Sequence, residues 1–180
     1  MGLEKNFEPW KLVTGLLLRS GNFPQLFTEA KNSLTEAFGS VDYESPALPF
    51  TYTGYYSGEM GHEILRVFLS FREPVDPSAL SKIKMKTNAL EHRFMEEEKR
   101  SVNIDPGILN LSRFILATTK DNAHRIPLDA GIYAELTLLY QRKNFQALPW
   151  TYPDFRTEVY QDILMEIRNI FREQLKQQSE

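Results

Sequence analysis

The polar stretch at residues 118–125 carries the residue types that bind anions most readily. Thr118 offers a hydroxyl, Lys120 a compact positive charge, and Arg125 a guanidinium fork that matches a carboxylate or a phosphate. His124 adds an imidazole, whose pKa suits proton transfer near neutral pH. These residues predict a site for a phosphate or carboxylate, although turns without any ligand are often equally polar.

Three further residues are candidates for the same site. Asp105 lies in Asn103-Ile104-Asp105-Pro106-Gly107, where it either offers a carboxylate to a ligand or starts a turn. Tyr133 and Glu135 lie two positions apart in an otherwise apolar predicted strand, so their side chains share one face. If the site is catalytic, His124 is the candidate acid–base group and Glu135 its partner. A glutamate on a strand is, however, more often exposed than catalytic.

The other two histidines give little support for a metal site. His92 lies two residues from the predicted core position Leu90, a rotation of about 200° on a helix, and is expected to face solvent. His62 has glutamates on both sides, which is more typical of a solvated loop than of a ligand set. A metal site that combines His62 or His124 with the carboxylates named above has no spacing signature behind it. We therefore assign no metal ligand, and the sequence identifies no cofactor.

Familiar catalytic motifs are missing from the sequence. Residues 15–22 contain two glycines after a predicted strand, but they lack the Gly-Lys-Ser/Thr ending of a phosphate-binding P-loop. The patterns GxGxxG, HExxH and GxSxG do not occur either. These absences argue against standard nucleotide, dinucleotide, zinc-protease and α/β-hydrolase sites.

The composition is typical of one soluble globular domain, here residues 1–180. Hydrophobic residues make up 42% of the 180 and charged residues 25%, close to the average of folded proteins. The 21 basic and 24 acidic residues give a formal net charge of −3. Because the cations are spread along the chain, we expect no nucleic-acid partner.

The composition also bears on the compartment. No segment approaches the roughly 20 apolar residues of a membrane span, so we expect no membrane partner. The first residues contain acidic side chains and no apolar core, unlike a secretory signal. The chain has no cysteine, which excludes disulfides and thiolate metal sites and makes the cytoplasm the simplest expectation.

Hydrophobic periodicity predicts an α+β fold. A helix should start near Asn22 and stop at Gly39, and a second should start at Asp76 and end within residues 96–100. A third helix, amphipathic and C-terminal, should begin near Thr157. Strands are predicted at 11–18, 50–52, 64–71, 104–117 with a break at Asp105-Pro106-Gly107, 132–140 and 145–148.

The order of these elements suggests a topology. Its first part, strand, helix, strand, strand, helix, strand, is the split βαβ pattern of ferredoxin-like folds, an antiparallel sheet with two helices. A β-hairpin and the C-terminal helix would extend it. Two aromatic segments, residues 50–56 and 148–155, would be suited to wall a pocket or to ordinary packing.

Six stretches of the sequence carry a resemblance to a known family. They are 49–56, 103–107, 117–121, 124–126, 131–135 and 149–154. Through these stretches the chain is similar, over almost its whole length, to an uncharacterised bacterial family, domain-of-unknown-function family 4416. Some members of that family carry the label GTP-binding protein, so the resemblance implies a nucleotide site, which here would have to be noncanonical and built on residues 118–125.

The sequence therefore leads to two functional expectations. The first is a site for an anionic small molecule, such as a nucleotide or a phosphorylated metabolite, with the acidic and aromatic candidates nearby. The second is a noncatalytic protein-interaction module or homodimeric structural protein, whose aromatic segments and C-terminal helix bury a partner surface.

Overall fold

One antiparallel sheet organises the described part of the chain, which in this computed structural model is residues 2–61, 63–96 and 98–178. Nine strands form this sheet, and two short strands form a separate hairpin. The strands are β1 (Lys11–Arg19), β2 (Val41–Glu44), β3 (Leu48–Pro49), β4 (Ile64–Phe71), β5 (Met95–Glu96), β6 (Lys99–Arg100), β7 (Val102–Leu109), β8 (Arg113–Thr118), β9 (Ile126–Pro127), β10 (Tyr133–Gln141) and β11 (Asn144–Ala147).

The strand order of the large sheet is β11-β10-β8-β7-β1-β4-β2, and every pairing is antiparallel. The short strands β3 and β9 add to β4 and β10, while β5 pairs with β6. The helices are α1 (Phe23–Phe38), α2 (Ser57–Met60), α3 (Leu80–Arg93) and α4 (Glu158–Gln177). The mixed α/β architecture was predicted, but the sheet is larger than the sequence suggested.

Helices cover both faces of this sheet. One core cluster joins α1 and α3 to alternate β1 residues such as Leu12 and Leu16. A second cluster joins α4 to Val13 and Phe68, which point to the opposite face. Because β1 is central and covered on both sides, its first eight residues are all buried.

Local signals explain where the helices begin and end. Asn22 occupies the N-cap position of α1 without a capping side-chain bond, a proline follows in the first turn, and Gly39 ends the helix with φ of 91°. Asp76 accepts a hydrogen bond from Ser78 N in a 3₁₀ turn, Pro77–Ala79, that leads into α3. The Thr157 side chain accepts from Tyr160 N and caps α4.

Three element predictions were wrong. Residues 50–52 form no strand, because the short β3 precedes them and the chain then turns into α2. Helix α3 ends at Arg93, and the chain continues as the β5–β6 hairpin. Asp105-Pro106-Gly107 does not break a strand but lies inside β7. No helix of the described residues is long and apolar enough to span a membrane.

Candidate functional site

The large sheet is split between two of its central strands. Pairing of β7 with β8 covers only Gly107–Leu109 of β7, so the two strands separate toward Asp105 and Thr118. Pro106 lies at the first position of the split, where its missing N–H breaks no bond to β8. A cavity of about 880 Å³ opens at this point, between the α3 side and the α4 side of the sheet. Its size is within the range of small-molecule sites.

Side chains from α3 replace the missing strand at the split. The backbone N–H of Ile104 donates to Glu91 Oε1 at 2.8 Å, and Lys84 Nζ donates to the Ile104 carbonyl at 2.9 Å. Lys84 and Glu91 thus satisfy both polar groups of a buried edge residue, which would otherwise be costly to leave unpaired. Side chains of a helix thus take the place of a paired strand at this edge of β7.

A chain of alternating charges runs along the floor of the cavity. Glu59 of α2 binds Arg100 through two hydrogen bonds, and Arg100 lies 3.9 Å from Glu91. Lys84 lies 3.8 Å from Glu91 and 3.9 Å from Asp105. In order, the members of this charge chain are Glu59, Arg100, Glu91, Lys84, Asp105, Arg66 and Asp154.

Arg66 is the most deeply buried member of the charge chain, with 3% of its side chain exposed. Its guanidinium lies 3.3 Å from Asp105 and 3.6 Å from Asp154, with its carbon near the rings of Phe50 and Phe68. Gly15 of β1 pairs with Phe68, two residues along β4 from Arg66, and a Cβ at Gly15 would lie 2.5 Å from Arg66 Nη1. A glycine is therefore required here to leave room for the guanidinium.

Burial shifts the ionisation of several charge-chain members. Burial raises the pKa of Glu91 to about 7, although Lys84 and the Ile104 N–H oppose this. Burial likewise raises the pKa of Asp154, with Arg66 opposing it. For Arg66, burial disfavours the charge, but attraction to Asp105 and Asp154 outweighs this and raises its pKa. Glu91 therefore titrates near neutral pH.

A second polar cluster centres on Glu135, whose side chain is 1% exposed. Glu135 Oε2 accepts from Arg125 Nε at 2.8 Å and lies 3.0 Å from His124 Nε2. Arg125 also donates to the Lys120 carbonyl and to the Tyr152 hydroxyl. His124 stacks on Trp150, with ring centroids 5.2 Å apart. This cluster fastens the polar stretch 118–125 to β10.

The segment that carries Tyr152 and Asp154 is anchored by its own hydrogen bonds. Thr151 Oγ1 donates to the Thr137 carbonyl at 2.6 Å, and Trp150 Nε1 donates to the Leu136 carbonyl at 2.8 Å. Both carbonyls lie where a β-bulge interrupts the pairing of β10 with β8. The bulge therefore frees two carbonyl groups of β10, and these accept the hydrogen bonds that anchor one wall of the cavity.

The two aromatic segments face each other across the cavity. Phe50, Tyr52, Tyr55 and Tyr56 line it from one segment, and Tyr152 and Phe155 from the other. The described lining also contains six carboxylates and four cations. Lys120 is exposed, lies 3.8 Å from the centroid of the Tyr55 ring, and forms no ion pair with a described residue. The lining is thus aromatic and acidic, and Lys120 is its one cation without an ion-pair partner among the described residues.

Comparison with known proteins gives a family but no activity. Residues 8–171 match a family described as a domain of unknown function, family 4416, and this range contains all the described cavity residues. The chain belongs to this family. The resemblance found in the sequence motifs is therefore confirmed. No curated protein and no solved structure matches the chain, so the chemistry of this member of family 4416 has to be argued from its cavity.

The structure brings four of the seven predicted site residues of this family member to the cavity, namely Asp105, Thr118, Lys120 and Glu135. His124 and Arg125 lie behind Glu135, and Tyr133 is not part of the described lining. His124 would therefore act on a ligand only through Glu135. His62 lies outside the described residues. Among the described residues, no group of three His, Asp or Glu side chains is arranged to hold a metal ion.

Sequence reasoning missed the cavity residues on α3 and β4. Lys84 and Glu91 lie seven residues apart, on the same helical face as Leu80 and Thr87, and this face is buried. Two charged residues on a buried face are a signal that could have been found, because buried charges are rare without partners. Arg66, inside an apolar strand, carried the same signal.

Proposed function

We propose that this chain binds an anionic small molecule, such as a nucleotide or a phosphorylated metabolite, in the cavity at the split between β7 and β8. The observation that carries the proposal is the cavity of about 880 Å³ with aromatic walls and Lys120 beside it. Aromatic walls that enclose convergent polar groups are typical of ligand sites, although this cavity carries more charged side chains than most.

The charges indicate how the ligand would lie. Arg66, Lys84 and Arg100 are each held by carboxylates of the charge chain. Lys120 has no such partner, and the hydroxyls of Thr118 and Thr119 lie in the same lining. We therefore place the anionic group of the ligand at Lys120. The rest of the ligand lies between the two aromatic segments.

The role given to Arg125 differs from the sequence expectation. Its guanidinium already binds Glu135, the Lys120 carbonyl and Tyr152. In this proposal Arg125 holds Lys120 and Glu135 in place and does not bind the anion itself. A substitution at Arg125 would thus disturb the site as a whole, which makes Lys120 the better residue to test.

The proposal is tested by thermal-shift and calorimetric titration with nucleotides, phosphorylated metabolites and inorganic phosphate. A compound that binds the native state raises the unfolding temperature. We expect such a rise in the wild type, a loss of it in Lys120→Gln, and its retention in Lys82→Gln, a matched change at an exposed lysine outside the cavity. No rise with any anion, or an equal loss in both variants, would contradict the proposal.

The alternative, a protein-interaction module or homodimer, makes the opposite prediction. It draws support from exposed apolar side chains near β9, with Ile126 63% and Leu128 43% exposed. It predicts no shift with small anions, and a concentration-dependent assembly that Ile126→Lys abolishes. Light scattering after gel filtration distinguishes the two roles.

We also propose that the inner part of the fold is ferredoxin-like. The strands β7-β1-β4-β2, with α1 and α3 on one face, follow the order expected of a split βαβ unit. Strands β8, β10 and β11 would then be an extension of this unit. The cavity lies at the junction of the two, which supports a site created by the extension.

A further inference from the structure

Three buried polar atoms of the cavity residues have no hydrogen-bond partner within the described chain, namely Glu135 Oε1, Asn103 Nδ2 and Arg66 Nε. The guanidinium of Arg66 is already held between Asp105 and Asp154, so Glu135 Oε1 and Asn103 Nδ2 are the two atoms considered for a ligand. Glu135 is 1% and Asn103 4% exposed, and both residues line the cavity. Buried polar groups are nearly always paired, because a group that has lost its hydrogen bonds to water and gained no partner destabilises the fold. These two atoms are therefore positions where a bound ligand would complete the hydrogen bonding.

The neighbours of each residue fix what kind of group is missing. Arg125 and His124 both contact Glu135 Oε2, so Oε1 remains as a free acceptor. Arg100 donates to Asn103 Oδ1 at 3.2 Å, so the amide nitrogen of Asn103 remains as a free donor. A ligand that binds both atoms must therefore supply a hydrogen-bond donor to Glu135 Oε1 and an acceptor to Asn103 Nδ2.

The charge around Glu135 argues for a neutral donor. Arg125 already balances the carboxylate, with its side chain 5% exposed beside it. A cationic group at Oε1 would lie beside the guanidinium of Arg125, which is bound to the same carboxylate, and would be repelled by it. A ring N–H donates a hydrogen bond without adding charge. Tyr52, Tyr56 and Phe155 line the same cavity, and a flat ring packs favourably against aromatic side chains.

The sheet keeps the two free atoms apart. Asn103 lies on β7 and Glu135 on β10, with β8 between these strands. Glu135 is in register with Leu116 of β8 and through it with Gly107 of β7, whereas Asn103 lies four residues further along β7. At about 3.3 Å per residue, this offset adds roughly 13 Å along the strand to about two strand spacings of 4.8 Å across the sheet. A ligand that reaches both atoms is therefore larger than a single small group.

We infer that the ligand carries a flat, neutral heterocycle that donates a ring N–H to Glu135 Oε1 and accepts a hydrogen bond from Asn103 Nδ2. This inference rests on the proposed function, in which the anionic group of the same ligand lies at Lys120. Glu135 is then the residue that selects the ligand, since a site built around a hydrogen bond discriminates strongly against an analogue that cannot make it.

The test compares two ligands that share the anionic group and the sugar. Inosine 5′-monophosphate has a ring N–H, and purine riboside 5′-monophosphate has none on its base. Calorimetry on the full chain should give inosine monophosphate the higher affinity by about ten- to a hundred-fold, the value of one hydrogen bond to a charged group. Because this comparison uses the wild type, it does not depend on the folding of any variant.

Variants then show which residues cause the preference for inosine monophosphate. Glu135→Gln should reduce the preference to less than about threefold, because its amide can present an N–H to the cavity instead of an acceptor. Asn103→Asp, which replaces the free donor with an acceptor, should weaken inosine monophosphate at least about tenfold. Glu36→Gln, at an exposed glutamate of α1 outside the cavity, should leave both affinities unchanged.

The outcomes separate this inference from the proposed function. Equal affinities of the two nucleotides would overturn the inference and leave the proposed function standing. The inference also fails if neither nucleotide binds while another phosphorylated compound does. Binding of no anion at all would overturn the proposed function, and the inference with it.

Discussion

Replacing Glu91 with glutamine should make the protein more stable at neutral and alkaline pH. Glu91 is buried, with 10% of its side chain exposed, and burial raises its pKa from 4.5 to about 7. The folded protein therefore holds a proton on Glu91 at pH values where the unfolded chain has released it. Charging Glu91 in the folded state costs free energy, and glutamine avoids this cost while its carbonyl can still accept the Ile104 N–H.

The size of the effect follows from the pKa values. Below about pH 4.5 both states are protonated, and Glu91 makes no difference between wild type and variant. Between about pH 4.5 and 7 the folded state binds more protons, so the contribution of Glu91 to the free energy of unfolding falls as pH rises. At 1.36 kcal/mol per pKa unit, the loss reaches about 3 kcal/mol above pH 7.

The assay is urea unfolding of wild type and Glu91→Gln at several pH values from 4.5 to 8, about the range over which Glu91 should titrate. The difference in unfolding free energy should be near zero at the acid end and about 3 kcal/mol at the alkaline end. Glu36→Gln serves as the control, and its difference from wild type should stay flat. Parallel curves for wild type and Glu91→Gln would refute the reasoning, because Glu91 would then titrate alike in both states.

Two further substitutions test the buried charges. Gly15→Ala should destabilise the fold by about 1–3 kcal/mol, since its Cβ meets the fixed guanidinium of Arg66, whereas Gly21→Ala, with open space around it, should change little. Lys11→Met should cost about 3 kcal/mol by leaving Asp42 without its buried partner, and adding Asp42→Asn should restore much of this. Urea unfolding measures the loss of unfolding free energy in each variant. An equal loss in Gly15→Ala and Gly21→Ala would contradict the contact with Arg66, and an equal loss in Lys11→Met with and without Asp42→Asn would contradict the buried ion pair.

Local sequence patterns were enough to locate most elements of the fold. The strand at 64–71, the hairpin of β10 and β11, and the starts of α1 and α4 follow from hydrophobic period and capping residues. These features are determined by residues close to each other in the sequence, so they can be predicted from a single sequence. The end of α3 was less accessible, because the strands β5 and β6 that follow it are two residues long, too short to show a hydrophobic period.

The cavity was harder to predict because no single segment contains it. Its residues come from both aromatic segments and from α2, α3, β4, β5, β6, β7, β8 and β10. Polar residue types did indicate Asp105, Lys120 and Glu135. Asp105-Pro106-Gly107 was misread as a break in a strand, since the residues that suit a turn also suit a strand with a free edge. Only the pairing of β7 with β1 on one side and with β8 on the other shows that these residues form a strand with a free edge and not a break.

The cost assigned to Glu91 and the existence of the cavity have the same origin. Had β8 continued to pair with β7 past Gly107, the Ile104 backbone could have bonded to a strand, and no buried glutamate would have been needed there. The chain instead keeps a charged helix face against an open edge, at an expense of about 3 kcal/mol above pH 7. Such an expense is typical of functional sites, where local rules of stability are broken. If Glu91→Gln stabilises the fold but weakens ligand binding, the split is maintained for the ligand; if it stabilises the fold and leaves binding intact, Glu91 serves the β7 edge alone.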